Sequence, residues 1–108
     1  MFEPPSARLL PDGKRLLLQQ GPIDLVVEAT GPAAAVEAAY RAAMRRFDGL
    51  LAELCGELAL LRSPVRANSP VPEGPVARRM HQAVAPFAGR IFITPMAAVA
   101  GSVAQEIL

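Results

Sequence analysis

The sequence has no tryptophan, one tyrosine and four phenylalanines, so it offers few flat rings on which nucleic-acid bases could stack. Its net charge is only +1, which provides no basic footprint for a polyanion. Nucleic acid is therefore not an expected partner. One cysteine, Cys55, precludes an intrachain disulfide and suits a reducing compartment. Set among leucines at helical spacing, it reads as a small buried hydrophobe rather than a nucleophile. One histidine and one cysteine cannot assemble a His/Cys metal cluster. No stretch reaches the roughly 18 apolar residues of a membrane span. The nearest, 91–104, is interrupted by Pro95. The first five residues, Met1-Phe2-Glu3-Pro4-Pro5, lack the basic flank and apolar core of a secretory signal. The expectation is a soluble, cytoplasmic protein without a membrane partner.

What is present is apolar. Of 108 residues, 52% are hydrophobic and 19% charged, which fits one domain, or part of one, with a buried core. Residues 1–14 carry three prolines and Asp12-Gly13 and read as an arm and turn. Arg15 to Gln20 is a strand candidate with Leu16 and Leu18 on one face. Gly21-Pro22 breaks it. Ile23 to Ala29 is a second strand, in which Ile23, Leu25 and Val27 alternate with Asp24, Val26 and Glu28. The short Gly-Pro link suits an antiparallel pair. Asp24 caps a turn or faces solvent; the sharper alternative turns it toward a ligand.

Thr30-Gly31-Pro32 signals a helix entry. Val36, Tyr40, Ala43, Phe47, Leu50, Leu54, Leu58 and Leu61 then recur at three and four residues, one apolar stripe over several turns. Gly49 and Gly56 each weaken that helix by about 1 kcal/mol relative to alanine, so a bend or break is expected near them. Arg41, Arg45 and Arg46 form a basic face, open to either solvent or phosphate. Residues 62–75, with four prolines, cannot be a continuous helix or a central strand and read as an extended loop. Pro75 opens a short helix to Val84. Arg78, Arg79 and His81 flank its apolar face. His81 reads as exposed or locally bonded; the sharper alternative is an anion contact at a cleft.

The final stretch is the most distinctive. Ile91 to Ile93 is a short β-type run that leads into Thr94-Pro95, a good N-cap followed by a residue preformed for the first helical position. Ala97, Ala100, Gly101 and Ala104 then share one helix face almost without bulk. Such a face admits another backbone or a flat ligand at close range, and a helix start can receive an anion. Alternatively, it packs in a core. Taken together, the elements predict an α+β protein: antiparallel strands, a long amphipathic helix and a small-residue C-terminal helix.

Three segments, read in order, carry a family resemblance. They are Leu18-Gln19-Gln20-Gly21-Pro22-Ile23-Asp24-Leu25, Gly74-Pro75-Val76-Ala77-Arg78-Arg79-Met80, and Phe92-Ile93-Thr94-Pro95-Met96-Ala97-Ala98-Val99-Ala100-Gly101-Ser102-Val103-Ala104. This series resembles the UPF0280 family, a branch of the ApbE-like superfamily of FAD:protein FMN transferases. The resemblance runs from about the first strand to Leu108 and is to the N-terminal half of such a domain. It implies that residues 1–108 are one domain within a longer ApbE-like, T-fold-type domain. It further implies FAD or FMN as cofactor, with Mg in the full-length protein. The implied nucleotide contacts are Thr94, Pro95, Met96, Ala97, Ala98 and Gly101, joined by Arg78, Arg79 and His81. In the transferases a lysine precedes the last glycine of the helix-start pattern; the matching position here is Ala100, which removes a phosphate-holding charge. No catalytic residue is assigned. The expected partner is a second copy or a complementary C-terminal half. The alternative function is an assembly module that packs with such a partner without catalysis.

Overall fold

The computed structural model describes residues 3–108. They form an α+β protein that divides into two compact units, Met1–Leu51 and Ala52–Leu108.

In the first unit, strands β1 (Ser6–Leu9), β2 (Leu16–Gln20) and β3 (Ile23–Val27) make an antiparallel sheet in the order β1-β2-β3. The expected Gly-Pro hairpin is present, with Gln20 opposite Ile23, Leu18 opposite Leu25 and Leu16 opposite Val27. Gly21, at φ 54°, supplies the left-handed backbone that a two-residue turn demands. Leu16 and Leu18 are buried, as the alternation requires, and helix α1 (Ala33–Phe47) packs against β2.

Strand β1 corrects the reading of 1–14 as an arm. Ser6–Leu9 is exposed throughout, so it carries no apolar alternation and is held by backbone pairing with β2. The turn between them is tied by Asp12, whose carboxylate accepts the amides of Lys14 (2.9 Å) and Arg15 (3.1 Å) and the Arg15 Nε–H (2.7 Å). Those donors, the Lys14 amide foremost, lower the Asp12 pKa to about 2. The bond to Asp12 raises that of Arg15 in turn. Tyr40 ties the same end of the sheet to α1: its hydroxyl donates to the Lys14 carbonyl and accepts the Ala29 amide (3.2 Å).

The long apolar stripe is real, but it is carried by three helices. Helix α1 ends at Phe47, α2 spans Leu50–Cys55 and α3 spans Leu58–Leu61. The first break falls at Gly49, whose φ of 83° no alanine would hold at low cost. Tyr40, Ala43, Phe47 and Leu50 are buried in the first unit, and Leu54 and Leu61 in the second. Cys55 is half-buried and free.

In the second unit, helix α4 (Pro75–Val84) packs against α3, against a 3-10 turn at Pro95–Ala98 and against helix α5 (Val99–Ile107). Val76, Ala77, Met80 and Val84 form its buried stripe. A second 3-10 turn, Ala85–Phe87, follows where Pro86 stops the helix. The loop at 62–74 has no regular element, in keeping with its prolines, although Val65 and Pro72 are buried. Two expectations fail here. Ile91 to Ile93 joins no sheet; its backbone ties are the Ile91 amide donating to the Phe87 carbonyl (3.4 Å) and the Val65 amide donating to the Ile93 carbonyl (3.0 Å). A β-prone run stays a coil when no strand lies beside it to pair with. The helix after Thr94 also begins as a 3-10 turn, with the Ala97 amide on the Thr94 carbonyl (3.0 Å), and becomes α-helical only at Val99. Among the described residues no helix is long and apolar enough to cross a membrane.

Candidate functional site

The C-terminal helical segment orients its two faces as the sequence pattern requires. Ser102 and Val103 are buried. Ala97, Ala100, Gly101 and Ala104 lie on the opposite side and are all exposed. A Cβ built at Gly101 meets nothing within 4 Å. The small residues are thus not a core-packing face of this chain. They expose helix backbone that a flat or extended group can approach closely.

Thr94 occupies the N-cap position in extended conformation (φ −113°, ψ 158°), but its hydroxyl makes no cap bond. Pro95 is fully buried and anchors the turn. Met96 is exposed beside Ala97, and Ala98 is half-buried. Because the turn is 3-10, the Ala97 amide is already engaged by Thr94.

The three basic residues of α4 do not converge on that face. Arg79 crosses to the buried side of α5, where its Nη1 donates to the Ser102 carbonyl (3.1 Å) and to Glu106 Oε1 (3.2 Å). It acts as a strut between the two helices. Arg78 is exposed, and its Nη2 donates to the Glu73 carbonyl (2.7 Å). His81, expected to be exposed or locally bonded, is buried at 9% exposure. Helical spacing put it beside Arg78, but the turn that reaches Met80 carries it inward.

One polar residue of this unit was not legible as important. The Glu57 carboxylate, just before α3, accepts the amides of Glu73 (2.7 Å) and Gly74 (3.0 Å) across sixteen residues of chain. It satisfies donors at the entry of α4 and places negative charge at that helix start. No local spacing announces it, because its partners are backbone groups of a distant loop. No group of three or more His, Cys, Asp or Glu among the described residues could hold a metal ion.

The arrangement defines a class: an α+β protein with a hairpin-built sheet and an uncovered small-residue helix face. The sequence profile described as "AbpE bacteria" (AbpE_bact) matches residues 7–108. The chain belongs to that bacterial family. No curated protein and no solved structure matches it.

Proposed function

We propose that the chain is an ApbE-like domain of the UPF0280 type and that the exposed face of Ala97, Ala100, Gly101 and Ala104 receives the flat ring of a nucleotide, FMN or FAD foremost. The observation that carries this reading is the uncrowded helix surface around Gly101. A planar ring laid on it would bury apolar area on both sides at little conformational cost. Arg78, on the exposed side of α4, is the basic residue whose charge remains accessible to a phosphate. Arg79, spent on Ser102 and Glu106, serves to hold α5 in place. The described residues supply no ligand set for Mg, so no step is derived through a cation. The reading is one of binding, and no nucleophile or general base is assigned.

The experiment is a calorimetric titration of the protein with FMN, FAD and ADP. Saturable binding is expected, weakened at least about tenfold in Gly101→Leu, where the ring would meet a side chain. A smaller loss is expected in Arg78→Ala with FMN, FAD and ADP, and none with riboflavin, which carries the ring without a phosphate. Failure of all three nucleotides to bind would leave the assembly-module reading, which the same exposed face and Phe92, 80% exposed, support.

A further inference from the structure

Two loops of the second unit line one cleft of about 290 Å³, residues 64–66 from the first and 89–92 from the second. Both loops are pinned through their backbones. Val65 is buried, and its amide on the Ile93 carbonyl (3.0 Å) ties one loop to the other. The Arg66 amide donates to Ser69 Oγ (2.7 Å), and the Arg66 carbonyl accepts the Ser69 amide (3.1 Å). In the second loop Gly89 takes a left-handed φ of 85°, and the Arg90 and Ile91 amides both donate to the Phe87 carbonyl (3.1 and 3.4 Å).

The side chains at this cleft are of two kinds. Arg66 and Arg90 line it, one from each loop. Neither guanidinium has a hydrogen-bond or ion-pair partner among the described residues. No acidic residue lines the cleft, and the sequence has none from 58 to 72 or from 74 to 105. Beside the two charges stand Ile91 and Phe92, 58% and 80% exposed, which line the same cleft.

Two uncompensated guanidiniums at one cleft repel each other until an anion joins them, and each offers forked N–H donors that match phosphate oxygens. A carboxylate would neutralise one of the two. A phosphomonoester, at roughly −1.5 to −2 charges near pH 7, neutralises both. The exposed ring of Phe92 suits a flat apolar group on the ester oxygen. The volume stands at the lower end of the range for small-molecule sites, about 300–1,000 Å³, so one ring with its phosphate fits better than a dinucleotide. We propose that this cleft binds a small phosphomonoester whose ester group is a flat ring, with Arg66 and Arg90 on the phosphate and Phe92 against the ring. The site uses none of the residues of the Gly101 helix face and is independent of the nucleotide reading.

The probe is phenyl phosphate, titrated into the isotope-labelled full chain and followed by heteronuclear NMR. The amide signals of Arg66, Arg90 and Phe92 should shift together and saturably, while those of Ala97 to Ala104 stay in place. Phenol, the ring without the charge, should move none of them at the same concentrations. Arg66→Gln and Arg90→Gln should each weaken binding about tenfold, the loss of one charge-assisted contact. Phe92→Ala should weaken phenyl phosphate about fivefold and leave inorganic phosphate unchanged, which separates the ring's contribution from the anion's. Gly101→Leu should bind phenyl phosphate as the wild type does, so the fate of the nucleotide reading does not decide that of the cleft. Arg66 and Arg90 signals that ignore phenyl phosphate, or an affinity indifferent to either arginine, would overturn the proposal. A Phe92→Ala chain that holds the ring ester as tightly as the wild type would do the same.

Discussion

Two helical segments of the second unit start alike and end differently. Gly74-Pro75 and Thr94-Pro95 each place an extended residue before a proline at the first helical position. The first entry leads directly into ten residues of α-helix. The second gives a four-residue 3-10 turn, and the α-helix begins beyond it. Proline fixes φ in both, so it does not decide between them. The difference lies in what meets the chain at each entry. At α4 the Glu57 carboxylate receives two amides, and Val76 and Ala77 of the first turn are buried. After Thr94 no side chain caps the turn, and Met96 and Ala97 face solvent. Neither entry has a side-chain cap bond; the α-helical first turn follows where the lead-in is pinned by Glu57 and Val76 and Ala77 are buried, the tighter turn where Met96 and Ala97 face solvent.

The largest test of this contrast is Glu57→Ala. It strands two amides that had a charged acceptor and should cost about 2 kcal/mol of unfolding free energy, measured by urea denaturation. Loss of well under that figure would mean that burial of Val76 alone directs α4. Next comes Gly101→Ala. The site is an exposed helix interior with space for a methyl group, so the protein should gain up to about 1 kcal/mol. A more stable variant with impaired nucleotide binding would tie the glycine to ligand approach. A smaller gain, about 0.5 kcal/mol, is expected from Thr94→Asp, which supplies the uncapped entry with a carboxylate. Amide chemical shifts at 95–98 should then move toward α-helical values, and if they stay put, a carboxylate at the lead-in does not set the turn type.

The smallest effect concerns Asp12, which uses the same device as Glu57 at a solvent-exposed turn: one carboxylate on two amides. Its pKa in the folded protein is lowered from 3.8 to about 2, first by the Lys14 amide and then by the Arg15 side chain. A depressed folded value means that the contribution is fully present above the unfolded pKa. It fades as pH falls from about 4 through 2. A carboxyl carbon titration followed by NMR should place the Asp12 midpoint near the lower value, and a midpoint near 3.8 would show that the turn is open in solution.

Much of the fold could be read from the residues. Leu16 and Leu18, Tyr40, Phe47, Leu50 and Leu61 declared their burial through period two or period 3.6, and Gly49 declared a break through its missing Cβ. Strand β1 was hidden because Ser6–Leu9 buries nothing and exists by virtue of its partner. Ile91 to Ile93 was over-read for the converse reason: propensity was present and a partner was not. At the candidate site, the clear face of α5 was legible because small residues at helical spacing are a local signal. The destinations of Arg79 and Glu57 were not, because both end on backbone groups sixteen or more residues away.

The lone tyrosine has a practical consequence. Tyr40 lies in the first unit, with its hydroxyl held between Lys14 and Ala29, and the chain has no tryptophan. Intrinsic tyrosine fluorescence and the tyrosine band of near-ultraviolet dichroism therefore report on the surroundings of Tyr40 in the first unit. A melting curve recorded that way follows the anchoring of the hairpin sheet, and comparing it with far-ultraviolet dichroism, to which the helices of both units contribute, would show whether the second unit melts with the first.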